Sequence, residues 1–423
     1  MIWLVFSLLG GLCLVGVPVA FAIGIAAVGA IIARNVPLTV VDQRMFTQID
    51  SFAMLAIPFF ILAGNLMDRG GISSKIVQFA TDVVGHIRGG LAMVSVIASM
   101  FFGAISGSAQ ATSAAIGSIL IPAMERHGYA KPFAAALTAT AGPLGVIIPP
   151  SIPMVIFASA ANISIGKLFL GGYLPGIFIG SGLMLICYAS ALRNNYQAEA
   201  RAPIVRMLKS FLDSAWALFM VVIIMGGILG GFFTATEASV VAVVYAALVG
   251  KFVYRKLRFG EIPDILYRSA MVTASVMFCV AATNILAWIL TREQIPRMIA
   301  DAMLSLTSNK YVILLLINIV LLLLGMILDA TPAIILTVPI LLPVVKTFGM
   351  DPIHFGLVVV ANLAIGMSTP PVGITLFVSS GISGVPISQM IRPLIPFWIV
   401  MSIFLMVLTY IPALTMFLPG LAN

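Results

Sequence analysis

Apolar residues fill blocks of about twenty along most of this chain, with short polar connections between them, the period expected of membrane-crossing helices. Segments 51–68, 132–160, 168–192, 269–290, 353–380 and 393–418 read as spans. The stretch 211–250 lies between two basic loops, Arg193 to Lys209 and Lys251 to Arg268, and is long enough for two spans joined as a hairpin. Two further blocks, 91–124 and 311–344, are interrupted near the middle by polar or helix-breaking residues and read as re-entrant helical hairpins. The first block, 2–33, breaks at "GVP" (Gly16 to Pro18) and is either one long span or two short ones. It carries no charge before Arg34, so it lacks the basic start of a removed secretory signal and reads as membrane span. "EIPDILYRS" (261–269) reads as an interfacial amphipathic helix, a connecting arm.

Composition agrees with that pattern. The chain has 423 residues, 61% hydrophobic and 9% charged, with mean hydropathy +1.17, which excludes an ordinary soluble protein. The pI near 9.6 reflects basic residues in short loops, so it points to topology and not to nucleic acid. With both hairpins re-entrant, loops 69–90, 125–131, 193–210, 251–268 and 381–392 fall on one side and hold 15 of the 22 Lys and Arg, which places that side in the cytoplasm. Cys13, Cys187 and Cys279 stand alone in apolar segments as small packing residues, and His86, His127 and His354 are isolated, without metal-ligand spacing.

The chain repeats itself. "ILIPAMERHG" (119–128) resembles "ILLPVVKTFG" (340–349), 221 residues later. At the same offset Pro149-Pro150 falls on Pro370-Pro371, Gly145 on Gly366, and Ser108, in "SGSAQATSA", on Asp329, in "ILDATPAI". "ILAGN" (61–65) echoes "AATN" (281–284). Each unit reads as span, hairpin, proline-broken span, span, and the assigned topology inverts one unit relative to the other. The expected organisation is an N-terminal scaffold (1–50), a first repeat (51–192, hairpin 91–124, broken helix 132–160), a central loop, helical hairpin and arm (193–268), and a second repeat (269–418, hairpin 311–344, broken helix 353–380).

Inverted repeats with broken helices at matching positions point to the binding site of a secondary transporter. Irregular backbone at membrane depth survives only when buried in protein or lining a wet cavity. Carbonyls without N–H partners there suit a hard cation, and helix N-termini suit an anion. The alternative is a pair of proline kinks that only bend helices. Ser106 and Ser108 sit at the tip of the first hairpin, where small hydroxyls beside Gly107 face a ligand or simply pack helices. Asp329 is a carboxylate deep in apolar sequence, which is costly and usually functional; it also suits the N-cap of a helix beginning near Thr331-Pro332. Glu237 completes a capping-box pattern with Thr234. Arg292, at the end of a span, is an interfacial anchor or a fork for a carboxylate.

"AIPFFILAGNLM", "FFGAISGSAQATSAAIGSILIPAM", "GPLGVIIPPSIPMVIFA", "GGFFTATEASVVAVVYA" and "GMSTPPVGITLF" together resemble the large membrane subunit of the tripartite ATP-independent periplasmic (TRAP) transporters, a DctM-like chain of the ion transporter superfamily. The resemblance runs over essentially the whole chain. It implies an all-α polytopic protein of the bacterial inner membrane, an inverted-repeat elevator with two re-entrant hairpins and two proline-broken helices. It implies sodium-coupled import of an organic acid, two sodium ions, a periplasmic binding protein that delivers the carboxylate, and a small four-span subunit; because the chain starts directly with the large subunit, that partner is expected as a separate polypeptide. Residue by residue, it assigns one sodium to Ser106 with the carbonyls of Gly145, Ile148 and Pro150, and the second to Asp329 with Thr331, Gly366, Thr369 and Pro371. It brings Ser108, Glu237, Arg292 and Asp329 to the substrate, Arg292 as the carboxylate partner.

Enzymatic chemistry has no support here. HExxH is missing, and "GGISSK" (70–75) fails the phosphate-loop pattern, so the chain itself hydrolyses no nucleotide. A stand-alone dicarboxylate transporter or exchanger of the same superfamily is the closest rival, and a channel a remote one.

Overall fold

The computed structural model describes residues 2–307 and 309–421, and among them there are helices and no strands. The first apolar block is two helices, α1 (Ile2–Leu14) and α2 (Val19–Ala33), parted at Gly16, whose φ of +87° a side chain rarely tolerates, and at Pro18. The amphipathic α3 (Thr39–Ile49) and a 3-10 turn, Phe52–Leu55, lead into α4 (Ala56–Arg69) and a second amphipathic helix, α5 (Ile72–Val84). A helical hairpin follows, α6 (Gly90–Ser106) and α7 (Ala109–Arg126). The next span is interrupted: α8 (Lys131–Ala141) and the single turn α9 (Leu144–Ile147) stop before Pro149-Pro150, and α10 (Ile152–Ala161) resumes with a 43° bend. The long α11 (Ile165–Asn194) closes the first half.

The centre holds α12 (Ile204–Leu229), α13 (Ala235–Leu248) and a π turn, Val249–Val253. One continuous helix, α14 (Ile262–Arg292), then carries the chain into the second half. "EIPDILYRS" is therefore the start of a 31-residue helix and not a separate arm. Its proline falls in the first turn, where the missing N–H costs nothing, so nothing stops the helix at Ser269. The second half continues with α15 (Ile295–Leu306), a hairpin of α16 (Lys310–Ile327) and α17 (Ala330–Thr347), a broken span of α18 (Pro352–Gly366) and α19 (Ile374–Ser383), then α20 (Ile387–Tyr410) and α21 (Ala413–Leu421). The last apolar block, 393–418, is thus two helices, parted before Pro412.

Helix bounds recur at the sequence offset: α7 begins at 109 and α17 at 330, and α8 begins at 131 and α18 at 352. The second arm of each broken span lies on the other half's hairpin, α10 against α17 and α19 against α7. Around this centre α14 packs against α2, α3, α4 and α17, and α4 against α13. The amphipathic α5 is tied to α12 by Lys75–Asp213 (2.7 Å) and by Arg206 on the buried Asp82 (3.0 Å). Among the described residues eight helices are long and apolar enough to cross a membrane, or nine if the bent pair around Pro149-Pro150 is one span. The chain is an all-α multi-pass membrane protein.

Candidate functional site

The two hairpin tips face each other at the centre. At the first, Gly107 takes φ +62° and turns the chain between α6 and α7; a Cβ there would sit 3.0 Å from the Pro150 carbonyl oxygen. Ser108 caps α7, its Oγ accepting from Ala111 N (3.4 Å) and donating to Gln110 Oε1 (3.1 Å). Thr112 Oγ1 donates to the Ser108 carbonyl (2.7 Å), which leaves Ser106 Oγ, 3.0 Å away, to donate to Thr112. Ser106 is buried. At the second tip Leu328 is extended and Asp329 occupies the N-cap position of α17. No side-chain capping bond is made there, and Asp329 Oδ1 instead accepts from Gln110 Nε2 at 3.1 Å. That bond joins the two tips across 219 residues of sequence.

The broken spans close on these tips. In a continuous helix Gly145 O would accept from residue 149 and Val146 O from residue 150, but both are prolines. Val146 O is served by Ser151 Oγ (2.6 Å). Ile152 N, which a helix would send to Ile148 O, donates to Gly107 O at 3.3 Å. The Gly145 and Ile148 carbonyls thus lose their helical donors. The second break matches it. Gly366 O would look to Pro370 and accepts from Thr369 N (2.8 Å), while Met367 O would look to Pro371 and accepts from Thr375 N (3.0 Å) and Oγ1 (2.8 Å). Gly373 N reaches across to Met326 O at 3.1 Å, as Ile152 N reaches Gly107 O. Both Pro-Pro bonds are cis. Each break is pressed against its hairpin by a glycine pair: a Cβ on Gly103 would lie 2.3 Å from Gly145 Cα, and one on Gly366 2.6 Å from Gly325 Cα.

The candidate residues distribute as follows. Ser106 ends α6 at the first tip, Gly145 lies against Thr112 and the Ser108 carbonyl, and the Pro150 carbonyl lies against Gly107, while the Ile148 side chain packs on Gly176 of α11. Thr331, in the first turn of α17, Gly366 and Thr369 are buried around the second, Thr369 Oγ1 donating to Ile365 O (2.8 Å), while Pro371 is exposed. A cavity of about 700 Å³ lies between the tips and is lined by Ser106, Ser108, Asp329 and Thr331. It continues past Val272 and Val276 of α14 to Asn65, Asp68 and Ser73. The residues that line it include two carboxylates, Asp68 and Asp329, and no Lys, Arg or His.

Glu237 and Arg292 stand apart from this cavity. Glu237 Oε2 accepts from Thr234 N and Oγ1, both at 2.8 Å, and Thr234 Oγ1 accepts from Glu237 N (3.2 Å), the reciprocal cap of α13. Arg292, the last residue of α14, lies over the Trp288 ring, 5.4 Å from its centroid. Sequence reasoning passed over Gln110, Thr112, Asn65 and Asp68. Gln110 was visible as the longest side chain within "SGSAQATSA". Asn65 donates to Ser269 Oγ (2.8 Å) and ties α4 to α14, a pairing across 204 residues with no local signature.

Comparison with known proteins places this geometry in context. The family described as "Tripartite ATP-independent periplasmic transporter, DctM component" matches residues 6–414. The chain is 44% identical over 411 residues to the isethionate TRAP transporter permease protein DctMQ of Oleidesulfovibrio alaskensis, over 96% of this chain and 64% of that protein, so it spans a little under two thirds of that relative's length. It is 43% identical over 377 residues to the C4-dicarboxylate TRAP transporter large permease protein DctM of Pseudomonas aeruginosa, covering 89% of this chain and 88% of that one. Among solved structures, the YdaH transporter of Alcanivorax borkumensis has a similar fold, with TM-score 0.61 at 13% identity over 88% of each chain.

Proposed function

This chain belongs to the DctM-component family of the tripartite ATP-independent periplasmic transporters, and on that premise we propose that it is the sodium-coupled permease for an organic acid. Its relatives are named transporter permeases, so the function sought is transport and not catalysis. In this reading two sodium ions are co-substrates, one per half. The first is held by Ser106 with the carbonyls of Gly145, Ile148 and Pro150. The second is held by Asp329 and Thr331 with the backbone around Gly366 and Thr369 and at Pro371. Hydroxyls, carbonyls and at most one carboxylate suit a monovalent hard cation better than calcium.

The observation that carries the reading is the charge of the cavity. Two carboxylates and no cationic side chain line it, so an anion there needs a counter-charge brought from outside. Sodium beside the tips supplies that charge, and a cavity holding cations and anion together crosses the membrane more readily than one holding the anion alone. The halves are then inverted repeats, the hairpins are re-entrant, and the tips with their broken spans move as one body along α14, an elevator. Ser108 and Asp329 face the anion. Glu237 and Arg292 belong to the frame along which the cavity travels. A small four-span membrane subunit and a periplasmic binding protein complete the system.

The test is uptake into liposomes holding this chain with its small subunit. The binding protein is first screened against organic acids, and the acid it retains is then offered on it. An inward sodium gradient at fixed pH should drive accumulation. Accumulation that continues unchanged with potassium in place of sodium contradicts the proposal.

A further inference from the structure

Trp288 carries two guanidinium groups. Arg292 and Arg44 each hold their guanidinium carbon 5.4 Å from the centroid of its ring, so the two charges lie no farther apart than twice that distance. Asn284, Trp288 and Arg292 are spaced by four residues along α14 and share one face. Arg44 comes from the amphipathic α3, which packs on α14. Its position is pinned by Asn284 Nδ2, which donates to the Arg44 carbonyl oxygen at 2.6 Å. Among the described residues neither arginine has a carboxylate within ion-pair distance. Glu293, next along the chain, is taken by Arg34.

Two cations without a carboxylate partner, gathered on one ring, repel each other, and an anion that bonds to both relieves that repulsion. A guanidinium matches a carboxylate through two parallel N–H···O bonds, so two of them match two carboxylates. We propose that Arg44, Trp288 and Arg292 form an anion-binding site on the far end of α14, and that it takes a dicarboxylate. This deepens the organic-acid reading and rests on it. Val276, which lines the central cavity, lies twelve residues before Trp288, roughly 18 Å along the helix at 1.5 Å per residue. The site therefore stands apart from the cavity at the other end of the same helix. Arg44 is its new member: half-buried, backbone-anchored, and supplying the second charge that separates dicarboxylates from monocarboxylates.

The test uses the purified full chain with Trp288 as its sole tryptophan, the other three being replaced by phenylalanine. Sodium succinate is titrated against sodium acetate and sodium chloride at matched sodium and ionic strength, and Trp288 emission is followed. Succinate should give a saturable change, acetate a much weaker one, and chloride none. Arg44→Gln should weaken the succinate response about tenfold or more, the scale of losing a charge-assisted pair, and Arg44→Lys should restore part of it. No saturable change, an unchanged response in Arg44→Gln, or a response only to polyglutamate would overturn the proposal, the last by marking a face for an acidic protein. The readout needs no sodium gradient and no transport. A lost sodium dependence of uptake with this response intact would therefore count against the coupling alone.

Discussion

The Gln110–Asp329 hydrogen bond makes the centre of the molecule testable side chain by side chain. Asp329→Asn keeps the shape and the bond to Gln110 but removes the charge, so the sodium-specific rise in melting temperature should shrink to the share of the first site while the fold persists; circular dichroism checks the fold. Gln110→Glu puts a carboxylate oxygen where the amide nitrogen now lies, 3.1 Å from Asp329 Oδ1. Like charges so close destabilise each other unless a cation sits between them. This variant should melt lower than the parent in choline chloride and gain more from sodium than the parent does. Equal gains in both proteins would mean that the tips hold no cation near this bond. At this scale part of the site was legible in the sequence. Asp329 stands out because a carboxylate is costly inside an apolar run, and Ser106 and Gly107 because they fall where a polar stretch interrupts one. The Gln110–Asp329, Asn65–Ser269 and Arg44–Trp288 contacts were not legible, because pairs so far apart in sequence leave no periodic trace.

Among the elements, glycine pairs set how closely each broken span lies on its hairpin. Gly103→Ala would put a methyl group 2.3 Å from Gly145 Cα, against backbone that has no rotamer to yield. It should destabilise by about 1–3 kcal/mol, the usual cost of overpacking, and blunt the sodium response as the first break shifts. Gly226→Ala, on α12 with nothing within 4 Å of its added Cβ, is the control. It should be neutral or stabilising by about 0.5–1 kcal/mol, since alanine loses less backbone entropy in a helix. Equal losses in both variants, read by denaturation in the same detergent, would remove any special role for the close approach. Proline explains both what was legible here and what was misread. Inside a run, at Pro149-Pro150 and Pro370-Pro371, it stops the helix at the residues where the sequence pattern breaks. In the first turn of α14 it stops nothing, so the expected arm at 261–269 merges into one long helix. Before Pro412 the chain breaks once more, inside a block whose hydropathy reads as one span.

For the molecule as a whole the claim is that its two halves face opposite sides of the membrane. The helix repeat and the excess of basic residues in one set of loops argue for this together. Glu125 and Lys346, at matching positions in the two halves, should then lie on opposite sides. In a version without native cysteines, a membrane-impermeant maleimide on intact cells should label Lys346→Cys, and label Glu125→Cys only after the membrane is opened. Labelling of both from one side would mean that the halves are parallel. The helical class and most spans could be read from hydropathy, and the two central breaks from their paired prolines, although single prolines such as Pro122, Pro175 and Pro343 stay inside continuous helices; the crossing of α10 onto α17 and α19 onto α7 could not be read, because it is a packing of one half on the other. The most direct test of the central claim, that these tips and breaks bind sodium, needs no substrate. The purified chain is melted in detergent over a titration of sodium chloride, against potassium and choline chloride at equal ionic strength. A ligand that binds only the folded state raises apparent stability with its concentration, by about 2.7 kcal/mol at a hundredfold excess over its dissociation constant. The account predicts a saturable rise specific to sodium, reduced in Asp329→Ala and in Ser106→Ala and abolished when both are replaced; an identical curve in all three salts would contradict it.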